Sequence, residues 1–198
     1  MTTTPPTARG LASRERMLDA AITLMRHSGL SGAGINEVVK ASAAPKGSVY
    51  HFFPGGKRQL ASEALALHAG RVLGVIDAAM ARGRTPGARV RALLRAFARR
   101  LDAAECRQSC ALGAVALDLD DELEPVRAAI EQSFDAWIER IASHLGFADA
   151  RRARSFAGLL LTAIEGAYVR GRAGHTSRAF IEAGDWLGAL ADREAALR

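Results

Sequence analysis

The side chains of this chain best suited to act on a partner gather in one short stretch. Lys46, Gly47, Ser48, Tyr50, His51 and Lys57 bring two ammonium groups, a hydroxyl, a phenol and an imidazole close together. These are donors that suit phosphate oxygens and base edges. Lys46 has the reach for a guanine edge or a phosphate. Gly47 carries no side chain, so the backbone there can come close to a groove. The chemistry this implies is recognition of a polyanion, not bond-making. Enzymatic patterns are missing: there is neither Gly-x-Ser-x-Gly nor a P-loop, and His27, His51, His68, His144 and His175 sit singly. No enzyme activity, cofactor or metal is expected. Cys106 and Cys110 form a Cys-x-x-x-Cys pair with no neighbouring ligand to complete a zinc set. They read as free, partly buried thiols, and a thiol switch is the alternative. Two cysteines give no disulfide framework, in keeping with a reducing compartment.

Two short helices must hold the donor cluster. Ile35, Val38, Val39 and Ser42 fall at helical spacing, which predicts a helix over Ile35 to Ser42. Ala43-Ala44 makes the turn. Pro45 suits the first turn of a new helix, where its missing N–H costs nothing. The second helix runs from Lys46 to about Phe52, and Pro54-Gly55-Gly56 stops it. Val49, Phe52 and Phe53 point inward, while Lys46, Ser48, Tyr50 and His51 stay outside. Before this pair, a helix from Leu11 or Ser13 to His27 carries the apolar stripe Met17, Ala20, Ala21, Leu24 and Met25. Ser13 can cap it, and Gly29 ends it. The net charge is +6, and residues 1–60 hold eight bases against three acids, so +5 of it lies in that segment. A basic head on a near-neutral body is the footprint of a polyanion binder.

The run Pro45-Lys46-Gly47-Ser48-Val49-Tyr50-His51-Phe52-Phe53, then Gly56-Lys57 and Leu60, resembles the DNA-binding head of the TetR family of one-component repressors. The Phe-Pro-Gly-Gly-Lys-x-x-Leu form is similar to the LmrA/YxaF-like branch. The head resemblance covers roughly Ser13 to Leu65. It implies that Tyr50, His51 and Lys57 grip phosphates and position the head without reading sequence. Two departures stand out. Ala33 and Gly34 occupy the place where the family has a hydroxyl capping the second helix, and Ala43 stands where it favours glycine in the turn. An alanine at positive φ is strained, so an adjusted turn is expected there.

Beyond the head, a long helix from about Lys57 to Ala81 leads into a body of five more helices. They span about Gly87–Ala103, Ala111 to Leu117 or Leu119, a segment opened by the acidic stretch Asp118–Glu124, Ala148–Arg172 and Ser177–Ala191. Between Phe156 and Val169 nearly every residue is apolar or small. A helix apolar all round is buried all round, so one side is expected to face the body and the other a second subunit. Gly158, Leu159, Gly166, Val169, Phe180, Gly184 and Leu187 are the interface candidates, in a four-helix contact between two copies. The same apolar run is too short to span a membrane and contains Glu165.

The resemblance further implies a small-molecule site in the body. Phe97, Leu101, Cys110, Leu117, Phe134, Trp137, Ile138, Leu161 and Glu165 are the candidates for its wall. Glu165 is the sharpest of them, because a carboxylate in an apolar helix is costly unless paired. An ion pair with Arg99, Arg100 or a residue across a dimer is the competing expectation. The expected protein is all-α, with an N-terminal three-helix helix-turn-helix DNA-binding domain and a C-terminal helical ligand-binding and dimerisation domain. Residues 1–10 are a flexible arm, 11–56 the DNA-binding domain and 57–198 the effector-binding and dimerisation domain. The expected partners are a palindromic double-stranded DNA operator, a second copy and a small hydrophobic effector, with no membrane and a cytoplasmic location by default. A helix-turn-helix regulator without an effector is the alternative.

Overall fold

The computed structural model of the chain describes residues 8–119 and 123–196. The first seven residues of the expected arm, and part of the acidic stretch opening the seventh helix, lie outside them. Every regular element among the described residues is helical: α1 (Ala8–Ser28), α2 (Ile35–Ser42), α3 (Lys46–Phe52), α4 (Gly56–Met80), α5 (Pro86–Ala103), α6 (Ala111–Ala116), α7 (Glu124–Leu145), α8 (Ala150–Gly174) and α9 (Arg178–Ala196). The helices form two compact units. One takes in residues 1–68 and 111–130, the other 69–110 and 131–198. The chain of α4, and that of α7, runs through both.

In the first unit α1 packs on α2, α3 and α6. That explains why its apolar stripe is wider than the spacing alone indicates. Leu18 and Ile22 are buried beside Met17, Ala21 and Met25. α1 also starts earlier than expected, at Ala8, so Ser13 lies inside the helix and does not cap it. Its hydroxyl instead accepts from Arg16 Nη2 at 3.3 Å. Val49 and Phe53 are wholly buried, each contributing about 2 kcal/mol of transfer free energy. Arg14 lies 5.1 Å from the centre of the Phe53 ring and pairs with Glu63 on α4, so this base of the head is already committed inside the fold.

The second unit is built around α5, α8 and α9. Thr85 caps α5 by accepting from Ala88 N at 3.1 Å, with Pro86 in the first turn. Asp149 caps α8, accepting from Arg151 N at 2.7 Å and Arg152 N at 3.3 Å. α9 comes close to α5 at Gly184, where an added Cβ would stand 3.4 Å from Leu94 Cβ. Asp192 on α9 accepts from Gly87 N at 2.7 Å and Arg91 at 3.2 Å, fixing the other end of this contact. On the α4 side, Trp137 donates its indole N–H to Ala69 O at 3.0 Å. Asp77 meets His144 at 2.8 Å and also Arg140. The His144 hydrogen bond, helped by the Arg140 charge, holds the Asp77 carboxyl below the usual carboxylate range.

Candidate nucleic-acid interface and effector site

The head is set by a tight turn. α2 ends at Ala43, which takes the left-handed conformation at φ 52° and ψ 32°. The turn therefore keeps its ordinary geometry with an alanine in it, and the expected adjustment does not occur. Ala44 N–H donates to Val39 O at 3.3 Å, satisfying a carbonyl at the helix end. Pro45 is the residue preceding α3, one place earlier than the first-turn position expected, and its carbonyl accepts from Ser48 N at 2.9 Å. α2 starts from Gly34 without any side-chain cap, the consequence of Ala33-Gly34 in place of a hydroxyl.

Seven residues make α3, and only one turn of it can face the core. Val49 and Phe53 take that face at i and i+4. Phe52 sits at its edge and is half-buried, not inward as expected, with its ring against His51 at 5.0 Å in an edge-on contact. Gly47, Tyr50 and His51 lie on the exposed side, Ser48 at its margin. Tyr50 is 57% exposed, unusual for a large aromatic ring with no neighbour to cover it. A Cβ built on Gly47 would have nothing within 4 Å, so nothing inside the protein requires a glycine there. Lys46 opens α3.

Lys57 stands half-buried in the first turn of α4. Its charge contributes to lowering the pKa of Asp118, just past α6. The leading cause of that shift is the hydrogen bond from Ser31 N, at 2.6 Å. The Ser31 hydroxyl and Leu30 N–H add to it, and together they overcome the opposing effect of burial. Asp118 thus ties α6 to the α1–α2 loop. Gly29, at φ +69°, permits that approach, since a Cβ there would lie 2.8 Å from the Asp118 carboxylate. The sequence marks Asp118 only as part of an acidic helix opening, and nothing in its spacing points to this role.

The second unit gathers most of the expected effector residues. Phe97, Leu101, Cys110, Trp137 and Leu161 are buried; Phe134 and Ile138 are half-buried. Phe134 meets Trp137 edge-on at 5.5 Å. Leu117 is the exception. It stands 88% exposed beyond the end of α6, in the first unit, and lines no enclosed wall there. The acid on α8 behaves as a buried carboxyl without a counter-ion. Glu165 Oε1 is shielded from solvent and has no hydrogen-bond partner, and among the described residues no ion pair joins it to Arg99 or Arg100. Burial pushes its pKa from 4.5 to about 7, moderated only by a hydrogen bond from the Cys110 thiol. Tyr168, three residues on, is buried and joins Phe97 and Phe180 in an aromatic cluster, 6.2 Å from the first and 5.0 Å from the second.

The face expected to meet a second subunit divides in two. On α8, Gly158, Leu159, Gly166 and Val169 lie toward the outside, Leu159 at 49% and Val169 at 64% exposure. Phe180 and Gly184 do not. Both are buried inside the chain, Phe180 stacked against Phe97 at 6.5 Å and Gly184 against Leu94. The reason is that α9 lays this stripe on α5. Its outward stripe is instead Trp186, 81% exposed, with Leu190 and Ile181 nearby, and Leu187 is half-buried between the two.

A short helix pair with a polar outer face, carried on a helical body, defines a helix-turn-helix DNA-binding regulator. Residues 17–64 match the family described as bacterial regulatory proteins, tetR family, and residues 86–185 the C-terminal domain of LmrA/YxaF-like transcriptional regulators. The chain belongs to the TetR family of transcriptional regulators, which are not enzymes. It is 34% identical over 163 residues to the HTH-type transcriptional regulator YxaF of Bacillus subtilis (strain 168), covering 81% of this chain and 84% of that one. It is also 34% identical over 125 residues to the regulator LmrA of the same organism, covering 63% and 66%. Among solved structures, the regulatory protein TetR from Rhodobacter sphaeroides matches the fold with a TM-score of 0.81 at 22% identity, over 89% of this chain and 97% of that one.

Proposed function

We propose that the chain is a dimeric repressor. Its two heads hold successive major grooves of a palindromic operator, and a small apolar ligand in the second unit releases them. The observation that carries the DNA-binding part is the outer face of α3: Tyr50 and His51 are exposed, and Gly47 has open space above it. Lys46, Gly47 and Ser48 approach base edges or phosphates; Tyr50, His51 and Lys57 grip the backbone. The functional division is a DNA-reading segment over residues 11–56 and an effector and dimerisation segment over 57–198. Two-fold pairing is supported by the apolar residues that α8 and α9 leave in water, Leu159, Val169 and Trp186. Effector binding is supported by Glu165, since a buried carboxyl with an idle oxygen is an available handle in an otherwise apolar setting. Release then requires the ligand to bind the DNA-free conformation better than the DNA-bound one.

The test is fluorescence anisotropy with the DNA immediately upstream of the protein's own gene, over a salt series. The expected result is saturable binding that survives competitor DNA. Tyr50→Phe and Lys57→Ala should weaken it without changing sequence preference, and Lys57→Ala should lower the salt slope by about one. Unchanged affinity and slope in both variants would overturn the assignment of these residues.

A further inference from the structure

Outside the head the chain is nearly neutral, yet one segment of it is not. From Ala78 to Leu101 there are arginines at 82, 84, 89, 91, 95, 99 and 100 and no acid at all. Two of them are engaged within the second unit: Arg89 donates to Gly83 O at 3.0 Å, and Arg91 pairs with Asp192. Three others, Arg82, Arg95 and Arg99, converge with Arg71 on a groove of about 550 Å³ between α4 and α5. That volume lies within the range of small-molecule sites. The floor is made of small residues, Gly74, Ala78, Ala79, Ala92 and Ala96 among them, and its lining includes no carboxylate. The nearest acids along the two helices are occupied on other faces, Asp77 by His144 and Arg140 and Asp102 by Ser177. Among the described residues Arg82, Arg95 and Arg99 have no ion-pair partner.

We propose that this groove binds a small molecule bearing two or more clustered oxyanions, a polyphosphate or a polycarboxylate. Arg95 and Arg99 lie one helical turn apart on α5, about 6 Å along the axis, so both forks reach one cluster of oxygens. Arg71 on α4 and Arg82 in the turn just past its C-terminal end bound the groove on the other side. Guanidinium groups are charged at any working pH and match phosphate and carboxylate geometry in pairs. Small residues on the floor, the exposed Gly74 and Ala78 among them, leave room for the anion between the guanidinium groups. A groove of this volume suits a metabolite better than a duplex. Its lining includes neither Glu165 nor any residue of α2 or α3.

The experiment is calorimetric titration of the full chain, free of DNA, with inorganic triphosphate and in a separate arm with citrate. The two arms distinguish phosphate from carboxylate recognition. The expected result is one site per chain for at least one probe. In the Arg95→Gln/Arg99→Gln variant its Kd should rise by about tenfold or more, with the thermal unfolding midpoint unchanged. Arg95→Lys/Arg99→Lys, which keeps the charge and loses the forks, should fall between the two. Lys57→Ala should bind like the parent chain. Absence of saturable binding for both probes would overturn the proposal, as would equal binding by the glutamine variant or loss only in Lys57→Ala. Loss of duplex DNA binding by the glutamine variant, with triphosphate binding intact, would assign the groove to nucleic acid and overturn it as well.

Discussion

Gly47→Ala separates a residue kept for folding from one kept for a partner. The glycine lies in the first turn of α3, and a Cβ on it would meet nothing within 4 Å. The added methyl therefore clashes with nothing in the protein, and alanine is the better helix former by about 0.5–1 kcal/mol. For a chain of this size that gain raises the unfolding midpoint by about 1–4 °C. The same methyl stands on the exposed face beside Ser48 and Tyr50, where the backbone would approach DNA. Holding the helix off by a fraction of an ångström lengthens several contacts together, and a loss of about tenfold, or ~1.4 kcal/mol, is expected in operator affinity. Stability and binding should thus move in opposite directions, as read by calorimetry and by fluorescence anisotropy on one preparation. Operator affinity within about twofold of the parent chain, with the midpoint raised, would refute the close approach at Gly47. A lowered midpoint would refute the open space.

Ala43→Gly should also stabilise the head. Relief of the left-handed alanine is worth about 1–2 kcal/mol and the lost chain stiffness costs about 0.5–1, leaving a net gain of about 0–1.5 kcal/mol in thermal unfolding; a lower midpoint would contradict strain at this turn. Glu165→Gln should change how stability depends on pH. The folded-state pKa of Glu165 lies above its ordinary value of 4.5, at about 7, so between those values the unfolded chain binds fewer protons. The parent chain then loses stability as pH rises through that window, by up to about 3 kcal/mol, and the glutamine variant does not. Urea unfolding at pH 5 and pH 8 measures the gap, and an equal gap at both would reject a buried acid. Trp186→Glu should leave the fold of one chain intact, because the ring is 81% exposed, but shift sedimentation toward the monomer; an unchanged dimer would take Trp186 out of the interface.

How far each feature is legible in the sequence depends on whether local or tertiary forces decide it. α2 and α3 fall where expected because Pro45 and the Pro54-Gly55-Gly56 run punctuate them and Val38 and Val49 anchor one face each. The start of α1 is missed because Ala8-Arg9-Gly10 contains no stop signal strong enough to oppose continuation once Met17 and Leu18 are packed. Phe180 and Gly184 illustrate a harder limit. α9 carries apolar residues on two faces, and periodicity reveals both without saying which one meets α5 in the same chain. That choice is made by Leu94 and Phe97, far away in sequence. Tyr168 owes its place to Phe97 and Phe180 on other helices in the same way, and Asp118 to Ser31 in the α1–α2 loop. Leu117, apolar and next to a buried helix, is out in water because α6 stops one residue before it.

If the proposed effector enters the second unit beside Glu165, the carboxyl gives that unit a means of reporting the effector's charge. Burial pushes its pKa up to about 7, so both protonation states are within reach near neutral pH. A neutral ligand that covers it further makes the anion costlier still and draws a proton from solution, whereas a cation placed beside Oε1 expels one. The enthalpy of binding then varies with the ionisation heat of the buffer, with opposite slopes in the two cases. Titrations in phosphate and in Tris would read the sign of that exchange directly, and effectors would sort into neutral and cationic classes by the proton each one moves.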